Sequence, residues 1–201
     1  MLTDLPNLLT LSRIVAIPLL VVLVALRQPP ADLAACVLFS TAAVTDYFDG
    51  KVARARRLQS DLGRMLDPIA DKLLVGAALM MLVGQGRLSA WGLYPAIVIM
   101  LREILVSGLR EYLAAIRIGL PVTPLAKWKT GFQMGALGTL LAGDSAANWL
   151  HLSFIPVSAI GEAMLWVAAA LTLWTGWDYL TAGVRHASGT PARGLTERQT
   201  P

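Results

Sequence analysis

Charge is scarce in this sequence. Only 15% of its 201 residues are Asp, Glu, Lys or Arg, where soluble domains carry roughly 25%. Hydrophobic residues make up 56% and the mean hydropathy is +0.61, leaving too few polar side chains to clothe a water-facing surface. Disorder is excluded on the same ground, because it needs low hydrophobicity. Cysteine is nearly missing: the single Cys36 rules out an internal disulfide framework and any Cys-rich metal site. Histidine is almost as rare, and His151 and His186 stand far along the chain from the acidic residues considered below. There is no Gly-rich phosphate loop, Ser/His/Asp arrangement or internal repeat. The net charge of +4 does not mark a nucleic-acid partner, because the basic residues follow the apolar runs rather than forming a stripe. What remains is an all-α integral membrane protein.

Six apolar stretches approach the roughly 20 residues that cross a hydrocarbon layer: Leu8–Leu26, Leu33–Tyr47, Ile69–Val83, Trp91–Ala115, Thr130–Leu141 with flanks, and Pro156–Leu180. The second, third and fifth reach membrane length only by taking in polar residues at one end. Breaks are expected at Pro29-Pro30, Gly84-Gln85-Gly86, Gly119 to Pro124 and Gly143-Asp144. The first stretch lacks a basic leader and a small-residue cleavage site, so it is expected to be retained as a span. Six spans put both termini on one side. With that side cytoplasmic, only Arg27 and Arg87 of the 17 basic residues fall on the outer half, as the positive-inside rule asks. Residues 1–185 read as one six-helix membrane domain in a lipid bilayer, and 186–201 as a disordered cytoplasmic tail.

The chemistry concentrates between Asp46 and Lys72. Asp46, Asp49, Gly50 and Ala53 recur at helical spacing and share one face; Arg54 follows directly. Gly63, Asp67 and Asp71 recur at four-residue steps, again on one face, at the start of the next helix. Lys51, Arg54, Arg56, Arg57 and Arg64 place the intervening connection, read as a loop, at the cytoplasmic surface. Four carboxylates brought together repel unless cations neutralise them. With no His or Cys nearby, the donor set suits hard divalent ions such as Mg²⁺ or Mn²⁺ rather than zinc. Two such ions suit in-line phosphoryl transfer, and the small residues on the same faces let a pyrophosphate approach the backbone. The alternative is that these aspartates only end helices near a basic loop and form surface ion pairs.

The string Asp46-x2-Asp49-Gly50-x2-Ala53-Arg54-x8-Gly63-x3-Asp67-x3-Asp71 resembles the motif of the CDP-alcohol phosphotransferase family at every fixed position. That resemblance implies six transmembrane helices, a site facing the cytoplasm at the inner membrane of a bacterium, and a homodimer. It implies that Asp46, Asp49, Asp67 and Asp71 bind two divalent cations, that Asp46, Gly50, Ala53, Arg54 and Gly63 line the CDP site, and that Asp71 is the base for the acceptor hydroxyl.

Further segments are similar to the branch of that family whose acceptor is glycerol-3-phosphate. They are Pro6-Asn7-Leu8-Leu9-Thr10-Leu11-Ser12-Arg13 with Pro18, then Asp67-Pro68-Ile69-Ala70-Asp71-Lys72, Arg102-Glu103-Ile104, Arg110-Glu111-Tyr112 and Lys127-Trp128-Lys129-Thr130. Asn7, Thr10 and Arg13 are accessory candidates. The similarity spans about residues 5 to 135, with no distinctive match from Asp144 to Leu180. The basic residues support this on physical grounds. Lys72, Arg102, Arg110, Lys127 and Lys129 stand on or beside helix faces where cations are expensive unless they meet anions, and an acceptor with its own phosphate supplies one. A structural alternative is that Glu103 and Glu111 merely neutralise neighbouring helices and the lysines anchor topology. The implied reaction joins CDP-diacylglycerol to glycerol-3-phosphate. Rivals are another acceptor within the family, giving a phosphatidylinositol phosphate, phosphatidylserine or cardiolipin synthase, and, from a different class, a cation or proton transporter.

Weaker signals read mostly as packing. Gly131, Gly135 and Gly138 form a small-residue face for a neighbouring helix or a second subunit. Trp149, Trp166, Trp174 and Trp177 read as interfacial or packing aromatics, and Cys36 and the methionines as filler.

Overall fold

A computed structural model describes the backbone of residues 5–56, 61–115 and 124–187, and side chains in these segments except at 5–9, 46–56, 61–65, 67–68, 114–115, 124, 178–179 and 182–187. Six helices follow in order: α1 (Leu5–Ala25), α2 (Pro29–Arg56), α3 (Asp61–Gly84), α4 (Leu93–Ala115), α5 (Pro124–Trp149) and α6 (Val157–Ala187). No strand occurs among the described residues. α5 and α6 pack most extensively, and α1–α2, α1–α3, α2–α5 and α4–α6 complete the bundle.

Helix ends follow local chemistry. Pro29 and Pro30, expected as a break, instead open α2, where a missing N–H is harmless because first-turn donors have no helical partner. α3 stops as expected at Gly84-Gln85-Gly86. Gly86 adopts φ 66°, its amide donates to the Val83 carbonyl (3.0 Å), and the Arg87 amide donates to Leu82 (2.9 Å), the paired closing bonds of a left-handed helix end. The same device closes α5: His151 has φ 60°, its amide donates to Asn148 (3.1 Å) and that of Leu152 to Ala147 (2.8 Å). His151 thus serves as a helix terminator.

One expectation needs correction. Lys51, Arg54, Arg56 and Arg64 are not in a loop: α2 runs on to Arg56 and α3 begins at Asp61. Lys, Arg and Ala are strong helix formers, so the turns continue past the apolar run; Arg57 lies outside the described residues. The expected break at Gly143-Asp144 is present: Gly143 takes φ 62° and ψ −179°, a conformation essentially restricted to glycine, so α5 is two helical pieces that meet at a kink there, the second ending at Trp149. α6 includes His186 and Ala187, whereas the rest of the tail lies outside the described residues.

The core is built from Leu20, Val24, Phe39, Leu74, Leu82, Ile99, Leu137, Leu140 and Leu165, all at most 2% exposed. Large apolar side chains also cover the outside: Met80, Trp91, Phe154 and Trp174 are each at least 70% exposed. Thr10, Arg13, Asp32, Lys129, Gln133, Thr172 and Thr175 are buried. Single exposed apolar residues are ordinary, but so wide an apolar exterior around a core that also buries several polar side chains is not. Among the described residues one segment, Val157–Trp177, is long and apolar enough to cross a membrane; Thr10–Ala25 and Pro29–Thr45 are apolar but shorter.

The small-residue face of α5 turns inward at two of its three positions. A Cβ added at Gly135 would meet Met164 Cε of α6 at 2.6 Å, and one at Gly138 would meet Ser40 Oγ of α2 at 3.2 Å; Gly131 has open space. α6 also comes close to the backbone of α5 at Gly161, where a Cβ would lie 2.7 Å from Leu140 Cγ and 3.3 Å from its backbone nitrogen. Backbone cannot yield as a side-chain tip can. Gly161→Ala is expected to destabilise the bundle by about 2 kcal/mol, read as a lowered melting temperature in detergent.

Arg27 and Arg87 come to the same end of the bundle, bordering one polar cavity of about 340 Å³. Arg87 ion-pairs with buried Asp32 at 2.5 Å and donates to the Leu141 carbonyl at 2.9 Å, while Arg27 donates to Gln85. At this end Asp144 accepts from the Ser158 amide at 3.0 Å, capping the first turn of α6. That amide, helped by the Ser158 hydroxyl, holds the exposed Asp144 carboxyl below its ordinary range. A depressed carboxyl stabilises above its unfolded value and loses that contribution as pH falls through its folded value. Asp144→Ala should therefore cost on the order of 0.5 kcal/mol at neutral pH, and the gap from wild type in melting temperature should close in acid.

Candidate active site

The motif residues lie on two consecutive helices. Asp46, Asp49, Gly50, Ala53 and Arg54 belong to the last turns of α2, and Gly63, Asp67 and Asp71 to the first half of α3. The helical backbone confirms the repeat on which the shared faces depend. Of these residues only Asp71 has a described side chain; those of Asp46, Asp49, Ala53, Arg54 and Asp67, and the surroundings of Gly50 and Gly63, lie outside the described residues.

Asp71 is half-buried on the wall of a cavity of about 700 Å³. Ala43 and Val44 of α2, Asp71 and Lys72 of α3, Arg102, Glu103 and Arg110 of α4, and Lys127, Lys129 and Gln133 of α5 contribute to that wall. All five basic residues singled out from sequence therefore meet the last motif aspartate in one space. They are drawn from three helices, and the eight-residue step from Arg102 to Arg110 puts both arginines on one face of α4, with Val106 between them.

Charge in the cavity is unbalanced. Its described lining holds five cations (Lys72, Arg102, Arg110, Lys127 and Lys129) against the carboxylates of Asp71 and Glu103, a surplus of three positive charges. Glu103 is a shared counter-ion: it accepts from Lys129 Nζ and, at 3.4 Å, from Arg102 Nη1. Neutralisation by Glu103, one of the alternatives weighed above, is thus real for two of the five. Lys129 is also attracted by Asp71. Lys72 donates to Ser107 Oγ, and Arg102 Nη2 donates to Thr175 Oγ1 at 3.1 Å. Arg110 and Lys127 are exposed at the mouth. Such a cationic surplus between low-dielectric walls concentrates anions.

Ser107, Gln133 and Thr175 were not singled out from the sequence. Gln133 is 3% exposed and Thr175 2%, yet neither stands in a spacing pattern that announces a polar role. The accessory candidates Thr10 and Arg13 are buried at 1% and 5% exposure and do not line the cavity; Asn7 has no described side chain.

A hard divalent cation fits the donor chemistry. The motif supplies carboxylate oxygens alone, its one described member stands on the cavity wall, and the surrounding cations would otherwise meet an anionic substrate without screening its pyrophosphate from the aspartates. Among the described residues no three His, Cys, Asp or Glu side chains come together; the side chains of Asp46, Asp49 and Asp67 lie outside that set.

Residues 3–174 match the family model described as CDP-alcohol phosphatidyltransferase. Curated relatives named CDP-diacylglycerol–glycerol-3-phosphate 3-phosphatidyltransferase are similar over nearly the whole chain. That of Rickettsia bellii is 44% identical over 179 residues, 89% of this chain and 94% of the relative. The Rickettsia typhi protein is 42% identical over 89% of this chain and 96% of its own length. The Cereibacter sphaeroides protein is 39% identical over 88% and 93%.

Proposed function

The chain belongs to the CDP-alcohol phosphatidyltransferase family, and from that premise we propose that it transfers the phosphatidyl group of CDP-diacylglycerol to glycerol-3-phosphate. The products are phosphatidylglycerophosphate and CMP, a step of phospholipid synthesis. The observation that carries the choice of acceptor is the cationic surplus around Asp71. Ethanolamine, choline or serine brings no phosphate and would leave the surplus of three positive charges in the described lining unmet by the acceptor; glycerol-3-phosphate brings a dianion.

In the proposed step the free primary hydroxyl of glycerol-3-phosphate attacks the phosphorus that carries diacylglycerol. A new P–O bond forms, the P–O bond to CMP breaks, and the hydroxyl proton passes to the Asp71 carboxylate. Arg102, Arg110, Lys127 and Lys129 hold the acceptor phosphate, with Lys72 beside Asp71. Asp46, Gly50, Ala53, Arg54 and Gly63 hold the CDP moiety. Two divalent cations, Mg²⁺ or Mn²⁺, held by Asp46, Asp49, Asp67 and Asp71, would offset charge on the pyrophosphate and acidify the hydroxyl. That help matters, because a carboxylate of ordinary pKa near 3.9 is a weak base toward an alcohol.

The proposal places the chain in the bacterial cytoplasmic membrane as a six-span homodimer with this site facing the cytoplasm. The apolar exterior supports it: lipid accepts the exposed Met80, Trp91 and Trp174, and acyl chains can lie between helices while the headgroup reaches Asp71. Purified protein in mixed micelles should release CMP from CDP-diacylglycerol only when both glycerol-3-phosphate and Mg²⁺ or Mn²⁺ are supplied. CMP release independent of the acceptor, or undiminished by a chelator, contradicts it.

A further inference from the structure

We infer that Thr175 and Gly176 of α6 form the seat that aims Arg102 into the cavity, and so set the enzyme's affinity for the acceptor phosphate. The inference rests on the acceptor proposed above and adds positioning residues from a helix that carries none of the recognised motifs.

Arg102 stands on α4 with its side chain 12% exposed. Its Nη2 donates to Thr175 Oγ1 at 3.1 Å. Thr175 is 2% exposed, and its hydroxyl owns one proton. That proton is directed at the Leu171 carbonyl at 2.8 Å, with the Thr172 carbonyl at 3.3 Å as a second neighbour. With the proton turned back along the helix, the oxygen presents its lone pairs to Arg102. A hydroxyl free to rotate could face the guanidinium with hydrogen; this one is fixed as an acceptor.

Gly176 supplies the other half of the seat. A Cβ there would lie 3.4 Å from Arg102 Cγ and 3.6 Å from Nε, so the arginine stem passes Gly176 with room for one methyl group and no more. A branched side chain at 176 would lift it off. Glu103 cannot do this work alone, since its carboxylate is shared with Lys129 and meets Arg102 Nη1 only at 3.4 Å. Thr175 and Gly176 therefore fix the rotation and height of a planar fork, and bidentate phosphate recognition depends on that orientation. Because the phosphate is bound in ground state and transition state alike, loss of the seat should appear in KM rather than kcat.

The test uses the full chain in mixed micelles, with both substrates varied. Thr175→Val keeps the volume and removes the acceptor oxygen. It should raise the KM for glycerol-3-phosphate about tenfold, with kcat and the KM for CDP-diacylglycerol within about twofold of wild type. Thr175→Ser restores the hydroxyl and should restore the KM. Gly176→Val disturbs the same guanidinium from its other contact and should reproduce the selective rise; it decides the matter alone if Thr175→Val does not fold. Wild-type KM in both variants, or equal rises for both substrates, overturns the inference, as does a serine variant that fails to rescue. Failure of the underlying acceptor choice looks different: wild type itself would then not use glycerol-3-phosphate.

Discussion

Asp71→Asn should reduce kcat by about a thousandfold or more, the scale expected when a general base is removed, while leaving the bundle folded. Asn is nearly isosteric with Asp and the position is only half-buried on a cavity wall, so packing is kept and one negative charge is lost. Two proposed duties fall on that charge: accepting the hydroxyl proton and helping hold the divalent ions. The variant should therefore also bind Mn²⁺ more weakly, by tenfold or more, in a direct titration without substrate. A second, weaker attraction on Lys129, beside that of Glu103, disappears as well, which makes the cavity more cationic. Binding of glycerol-3-phosphate should consequently survive, and its KM should change far less than kcat. A fully active Asp71→Asn protein refutes the catalytic role, and unchanged Mn²⁺ affinity removes Asp71 from the metal site.

Arg110→Ala should act in the opposite sense, raising the KM for glycerol-3-phosphate by tens of fold to about a hundredfold. A charge-assisted hydrogen bond from arginine to phosphate contributes roughly 1.5–3 kcal/mol. Arg110 stands exposed at the mouth of the cavity, so truncating it leaves no buried group orphaned and little folding cost is expected. The effect should weaken with ionic strength, because exposed charges are screened. The KM for CDP-diacylglycerol should stay within a few fold. Equal rises for both substrates would remove Arg110 from the acceptor pocket.

The six helices were legible because each carries an apolar run, and each run coincides with one observed element, overrunning it by two residues at most. Their ends were less so. α2 extends to Arg56 because charged residues of high helical propensity continue a turn as readily as apolar ones, and hydropathy alone cannot see that. The break at Gly143 was legible from its glycine; what spacing alone does not show is that Asp144, just past the kink, turns to cap α6. The convergence of Lys72, Arg102, Arg110, Lys127 and Lys129 could be anticipated, because cations on apolar helices need a common anion. The placing of Thr175 could not. A threonine in the apolar stretch of α6 looks like any other helical hydroxyl, and only the packing of α4 on α6 brings it under Arg102. The small-residue face of α5 was ambiguous for the same reason: Met164 and Ser40 fill it at Gly135 and Gly138, and spacing alone does not name the neighbour.

The choice of acceptor is the central claim, and competition tests it most directly. Purified protein with CDP-diacylglycerol and Mg²⁺ should be offered equal concentrations of labelled glycerol-3-phosphate, myo-inositol phosphate, serine and phosphatidylglycerol, and the lipid products separated. Incorporation of glycerol-3-phosphate should dominate, and it should fall selectively in Arg110→Ala. Incorporation of myo-inositol phosphate, serine or phosphatidylglycerol above that of glycerol-3-phosphate would contradict the assignment and place the chain in a different branch of its family.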